Sequence, residues 1–148
     1  MVEKEFGGRS LFETISTIEG LMAINTDTSS AHTRSLKLDI REITRRLNGA
    51  LGATLVASLA GSKDLKLPYR WAKAEGPTPK DEATRRLQFA YEQWTRLAEA
   101  EGEHVARAWF IGANPWLGYE TPVTAIREDR FTEAGTAAQA VIDDTFSG

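Results

Sequence analysis

Seven side chains in the first half of the chain have the types and spacing to grip a polyanion. Lys63, Lys66, Tyr69, Arg70 and Lys73 recur so that a helix would carry them at its start and along one broad face, and Arg45 and Arg46 stand upstream to clamp the flanking backbone. Ammonium and guanidinium groups bind phosphate oxygens, and some also reach base edges, so this face suits contact with a nucleic acid. Leu65 and Trp71, with Leu67 or Ala72, would bury the opposite side. The distribution of charge agrees: residues 37–73 hold eight basic and three acidic side chains, residues 97–148 hold three and nine, and the whole chain carries −3. A basic block followed by an acidic one fits nucleic-acid contact in one part and protein contact in another. A plainer reading, a helical bundle whose solvated face happens to be basic, uses the same residues.

Acid/base chemistry has thinner support. Glu99 and Glu103 are four apart with Glu101 between them, and His104 is bordered by Glu101 and Arg107, yet a solvated acidic face near a helix end has the same pattern. The chain has no cysteine and two histidines, His32 and His104. That excludes a thiol nucleophile, a disulfide framework and a thiolate metal site, and nearly excludes a closed zinc site. The glycine-rich dinucleotide and phosphate loops, the nucleophile elbow and the HExxH zinc motif do not occur. No catalytic, metal-binding or cofactor-binding residue is assigned, no cofactor is expected, and a non-enzyme is the expectation.

The elements that would position these groups are helices. Of 148 residues, 41% are hydrophobic and 26% charged, ordinary for a globular fold. No apolar run approaches the ~20 residues needed to cross a bilayer, and MVEKEFGGRS lacks a secretory core, so a cytoplasmic protein without membrane contact is expected. Ser10 to Glu13 reads as a capping box opening a helix over about 11–23, with Phe12, Ile15, Ile18 and Met22 on one side, and residues 25–35 read as a loop. Helices are predicted over about 39–49, 53–60 and 64–74, the last with Asp64 as N-cap. Thr78-Pro79 opens a long helix to Gly102, with Ala83, Leu87, Ala90, Tyr91, Trp94, Leu97 and Ala98 as its stripe. Val105, Ala108, Trp109 and Ile111 define the next, ended by Asn114-Pro115; a short helix runs from Thr121-Pro122 to about Glu128, and a last one from Phe131 to about Thr145. Trp71 and Trp94 fall on apolar stripes and are expected to anchor the core.

The helices at 53–60 and 64–74, joined through Gly61, have the lengths of a helix-turn-helix, with the second as recognition helix. The expected fold is therefore all-α: an N-terminal arm or helix plus linker at 1–36, a helix-turn-helix DNA-binding region at 37–77, and a helical C-terminal domain packed on it at 78–148. Operator DNA is the expected ligand of the first bundle. Reading it through paired half-sites implies a homodimer or higher oligomer.

The segment N-P-W-L-G-Y-E-T-P from Asn114 to Pro122, preceded by A-R-A-W-F-I-G and followed by A-I-R-E-D-R, resembles the toxin-binding domain of the Xre/MbcA/ParS antitoxins of bacterial type II toxin-antitoxin systems. That family's pattern runs W-x-x-x-x-N-P-x-L-G-x-x-x-P, then a short helix and an arginine. R-W-A-K-A-E-G-P-T-P from Arg70 to Pro79 is similar to the family's exit from its helix-turn-helix, so the resemblance covers about residues 38–146. It implies an antitoxin that closes the pocket of a RES-domain, NAD-consuming toxin and represses its own operon. Trp109, Asn114, Pro115, Leu117, Gly118 and Pro122 would then shape the partner-binding domain. Asn114, Trp116, Leu117, Arg127, Asp143, Asp144, Phe146 and Gly148 would serve toxin binding, the last four as an acidic and aromatic tail placed to enter a nucleotide-sized pocket. Two departures are Asp129, where the pattern leads to glycine, and Gly76, later after Trp71 than usual. The alternative function is a stand-alone or phage-derived helix-turn-helix regulator.

Overall fold

Asp39 turns the chain into its first described helix by accepting the Arg41 backbone N–H on its side chain at 3.0 Å. The computed structural model describes residues 39–147, with the side chains of 145–147 left aside. The helix expected at 11–23 and the loop at 25–35 lie outside them. Within 39–147 the elements are α1 (Ile40–Leu51), α2 (Ala53–Ala60), α3 (Leu67–Trp71), α4 (Asp81–Glu101), α5 (Glu103–Ile111), a 3-10 turn (Pro115–Leu117), α6 (Pro122–Arg127) and α7 (Phe131–Ser147). No strand occurs among the described residues, so the fold is all-helical there.

Glycine separates α1 from α2 and α4 from α5. Gly52 and Gly102 both have φ 90°, a backbone that L side chains rarely adopt, and at each a single residue ends one helix and starts the next. α2 has Ala53, Val56, Ala57, Leu59 and Ala60 buried, apolar around most of its circumference, as a helix enclosed by others must be. It packs against α1, α3, α4 and α6, while α4 packs against α1, α2, α5, α6 and α7. Phe89 of α4 stacks on Phe131 of α7 with centroids 4.8 Å apart. The described residues from Asp39 onward belong to one compact unit. Within that unit the helices on either side of 77/78 pack directly on one another.

Three expectations are corrected. The recognition helix predicted over 64–74 is only Leu67–Trp71, with Lys66 rather than Asp64 before it. Ser62 and Asp64 bond their own backbone, Lys66 N–H to Asp64 Oδ1 at 2.9 Å and Asp64 N–H to Ser62 Oγ at 3.1 Å, which favours a turn over a helix start. Pro68 brings no N–H to the first turn. The long helix begins at Asp81, after Pro79, and its stripe is rotated: Gln93 is buried, while Tyr91, Trp94 and Ala98 are half-exposed, so Trp94 lines a cleft instead of anchoring the core. Gln93 is tolerated inside because its Oε1 accepts from Arg96 Nη1 at 2.8 Å. In α5 the buried residues are Ala106, Trp109 and Phe110, leaving Val105, Ala108 and Ile111 exposed.

Candidate functional site

The expected DNA-contacting set divides in two. Arg45 and Arg46 both pair with Glu42; Arg45 also donates to the Ala72 carbonyl at 3.1 Å, and Arg46 to the Tyr91 hydroxyl at 2.7 Å. The Tyr91 hydrogen bond, then Glu42, raises the Arg46 guanidinium above its ordinary value. Arg70 pairs with Asp64, whose carboxyl is held below its usual range first by the Lys66 N–H and then by the Arg70 charge. These arginines are exposed but partnered. Lys63, Lys66 and Lys73 are exposed, and Tyr69 is 57% exposed beside them. On this face the lysines reach water and the arginines hold partners within the unit.

Other arginines work inward, and composition gave no hint of it. Arg41 donates to the carbonyls of Trp71 (3.2 Å), Lys73 and Gly76 (2.8 Å) and reaches Thr78 Oγ1 at 3.4 Å, tying α1 to the chain leaving α3. Gly76 is confined there: a Cβ at this position would overlap the Arg70 carbonyl. Arg86 donates to the Ala60 carbonyl at 2.9 Å and grips Asp129 through Nε (2.9 Å) and Nη2 (3.1 Å). Arg107 donates to the Ala50 carbonyl at 2.8 Å. Arg127, expected at a partner surface, instead points at Ser58 Oγ, 2.9 Å away. The last carbonyls of a helix lack intrahelical partners and carry its negative dipole end, so a guanidinium from a neighbouring helix satisfies both needs. Asp129 stands at φ 62°, a conformation that a short polar side chain tolerates better than most, and the hydrogen bond from Arg86, followed by the Arg86 charge, holds its carboxyl below the ordinary carboxylate range.

The segment 114–122 folds around Asn114, which is 8% exposed. Its Oδ1 accepts the Trp116 N–H at 2.8 Å, its carbonyl accepts those of Leu117 and Tyr119, and its own N–H donates to the Glu120 carbonyl at 3.1 Å. Leu117 is buried, and Thr121 caps α6 by accepting the Thr124 N–H at 3.1 Å. Asn114 and Leu117 thus build the turn, and Trp116, 62% exposed, is what it presents. Gly118 (φ 63°) and Tyr119 (φ 70°) form the centre of a tight turn closed by Glu120 N–H to the Leu117 carbonyl. Such φ values suit glycine; a tyrosine pays of order 1 kcal/mol to adopt one. Tyr119, 71% exposed, was missed in the sequence, although its place directly after a turn glycine was the available signal.

Arg130 beside this turn faces Glu120, Glu128 (3.1 Å) and Glu133 (3.0 Å). Partial burial works against its charge, but the three glutamates more than offset that and raise it above its ordinary value. Asp143 and Asp144 are exposed on α7, with Asp143 accepting from Gln139 at 2.8 Å; the expected contacts at Gly148 and the Phe146 side chain lie outside the described residues. Glu99 and Glu103 do not share a helix face, because the helix breaks at Gly102 between them. They rim a cleft of about 430 Å³ with Arg46, Tyr91, Trp94 and Arg107. A second cleft, about 530 Å³, lies between the end of α2, Trp71 and the start of α4. Among the described residues no group of acids and histidines could hold a metal ion, and no helix is long and apolar enough to cross a membrane. No protein-family model, curated protein or solved structure matches this sequence.

Proposed function

We propose that this protein is the antitoxin of a type II toxin-antitoxin pair: it binds and neutralises a RES-domain, NAD-consuming toxin and represses its own operon as a dimer or larger oligomer. The observation that carries the reading is the 114–122 segment. Its motif residues Asn114 and Leu117 face inward and fix a closed turn, leaving Trp116 displayed on an acidic surface. A segment that served only as a connector would have no need of so defined a scaffold around an exposed indole. Lys63, Lys66 and Lys73 support the DNA-binding part, at the level of backbone contact.

The test is co-expression of the RES-domain protein from the adjacent reading frame with this chain, following cellular NAD and growth. Protection by the full chain supports the antitoxin. Binding without protection by a version ending at Val141 assigns the plug to the tail, and full protection by that version removes the tail from the mechanism. A chain that binds its own promoter yet neither binds nor protects against the toxin is the stand-alone regulator, a reading favoured by the same three lysines.

A further inference from the structure

Four of the six large apolar side chains that stand exposed among the described residues fall between positions 105 and 119: Val105, Ile111, Trp116 and Tyr119. Two of them share one turn. Tyr119 is held there at φ 70° with its ring in water, although glycine would occupy the position without strain. A ring 71% exposed contributes little to the core, and a strained backbone that displays an aromatic is the expected arrangement where the side chain serves something outside the fold.

Charge decides what that something is. Every arginine of the last third is drawn inward or shared: Arg107 on the Ala50 carbonyl, Arg127 on Ser58, Arg130 among three glutamates. Its acids remain largely outside, with Glu120, Glu128 and Glu133 dividing a single cation and Asp143 and Asp144 exposed. A second copy meeting this turn through its own turn would set two negative surfaces face to face, and a nucleic acid would be repelled. Residues 1–36, with three basic and five acidic side chains, are no better matched.

We propose that Trp116 and Tyr119 form a two-ring anchor that seats in an apolar pocket of a different protein, one whose rim carries lysine and arginine. The proposal rests on the antitoxin reading, in which the C-terminal half holds a protein, and it moves the centre of that contact from the tail to the turn. Both rings stand at positions that the family-like pattern leaves open, so they are this chain's own means of choosing its partner.

The test uses the full chain, the purified RES-domain protein of the adjacent reading frame, and calorimetric titration. Trp116→Ala and Tyr119→Ala should each weaken binding by about tenfold or more and the double variant by about 100-fold, with unchanged far-ultraviolet dichroism. Tyr119→Gly should raise Tm while weakening binding, a pairing that a merely structural tyrosine would not give. The affinity of the unaltered chain should fall as salt rises. A double variant that folds and binds as tightly as the parent overturns the anchor and leaves the antitoxin reading standing. A double variant that lowers the light-scattering mass of the chain alone overturns it in favour of a second copy. No binding by the unaltered chain overturns both readings.

Discussion

On the α1–α3 face, Arg41, Arg45, Arg46 and Arg70 are each bonded within the unit, and Lys63, Lys66 and Lys73 are exposed with no ion pair among the described residues; around 114–133 the acids are exposed and the cations turn in. Nominal charge therefore misstates both regions. Four of the basic block's eight cations, Arg41, Arg45, Arg46 and Arg70, are tied to partners, and four of the nine acids of residues 97–148, Glu120, Glu128, Asp129 and Glu133, are held in ion pairs. Arginine makes most of these ties, because its rigid planar fork presents five N–H donors that fit carboxylates and neighbouring carbonyls, whereas the lysine ammonium is a strongly hydrated point charge on a flexible stem.

If the inward arginines are staples, the sharpest break comes where one of them and a glycine confine the same loop. Gly76→Ala should cost about 3 kcal/mol, the upper end for overpacking, because the added methyl meets backbone and not a movable side chain; urea unfolding measures it. Arg41→Ala should follow at about 2 kcal/mol, since it strands carbonyls of Trp71, Lys73 and Gly76. A change below about 0.5 kcal/mol would place Arg41 with the exposed pairs that contribute little.

The outward lysines should behave oppositely. Replacing Lys63, Lys66 and Lys73 with alanine should leave Tm nearly unchanged while flattening the slope of log K against log salt for promoter DNA by about 2.7, at ~0.9 per phosphate contact. A slope that falls equally for Arg45→Ala and Arg46→Ala would erase the distinction between the two sets.

The smallest effect concerns Asp129. Its carboxyl is depressed in the folded protein, so its contribution is present above the ordinary value of 3.8 and lost as pH falls below it; Asp129→Asn should remove that part of the acid dependence. Asp129→Ala should cost about 1 kcal/mol, combining a lost, partly exposed ion pair with a positive φ. Asp129→Gly should come out near neutral, because relief of the backbone offsets the lost pair.

Where breakers punctuate the chain, its helices were readable: Gly52, Gly61, Gly102 and Asn114-Pro115 set the ends of α1, α2, α4 and α5 within a few residues of expectation. α3 was not, since local bonds of Ser62 and Asp64 compete with helix formation and leave no trace in hydrophobic period. The α4 stripe was misphased because one glutamine, satisfied by an arginine, occupies a core position that a binary pattern reserves for apolar residues. The motif turn was legible as a turn, but not which of its residues faces water. Arg41 was illegible altogether, as its acceptors are main-chain carbonyls 30 to 35 residues away.

The five buried residues of α2 serve the segment that carries the outward lysines and the segment that carries the rings, because this one helix packs on α1 and α3 and also on α4 and α6. A fragment of residues 39–77 by itself would bare Val56 and Leu59, 0% exposed in the whole unit, and at about 40 residues is too small to bury them again. Inheritance is constrained in the same way. The segment that carries the lysines cannot be exchanged for another by simple fusion, and new surface properties on either side of 77/78 must come through surface substitutions on a body that is kept entire.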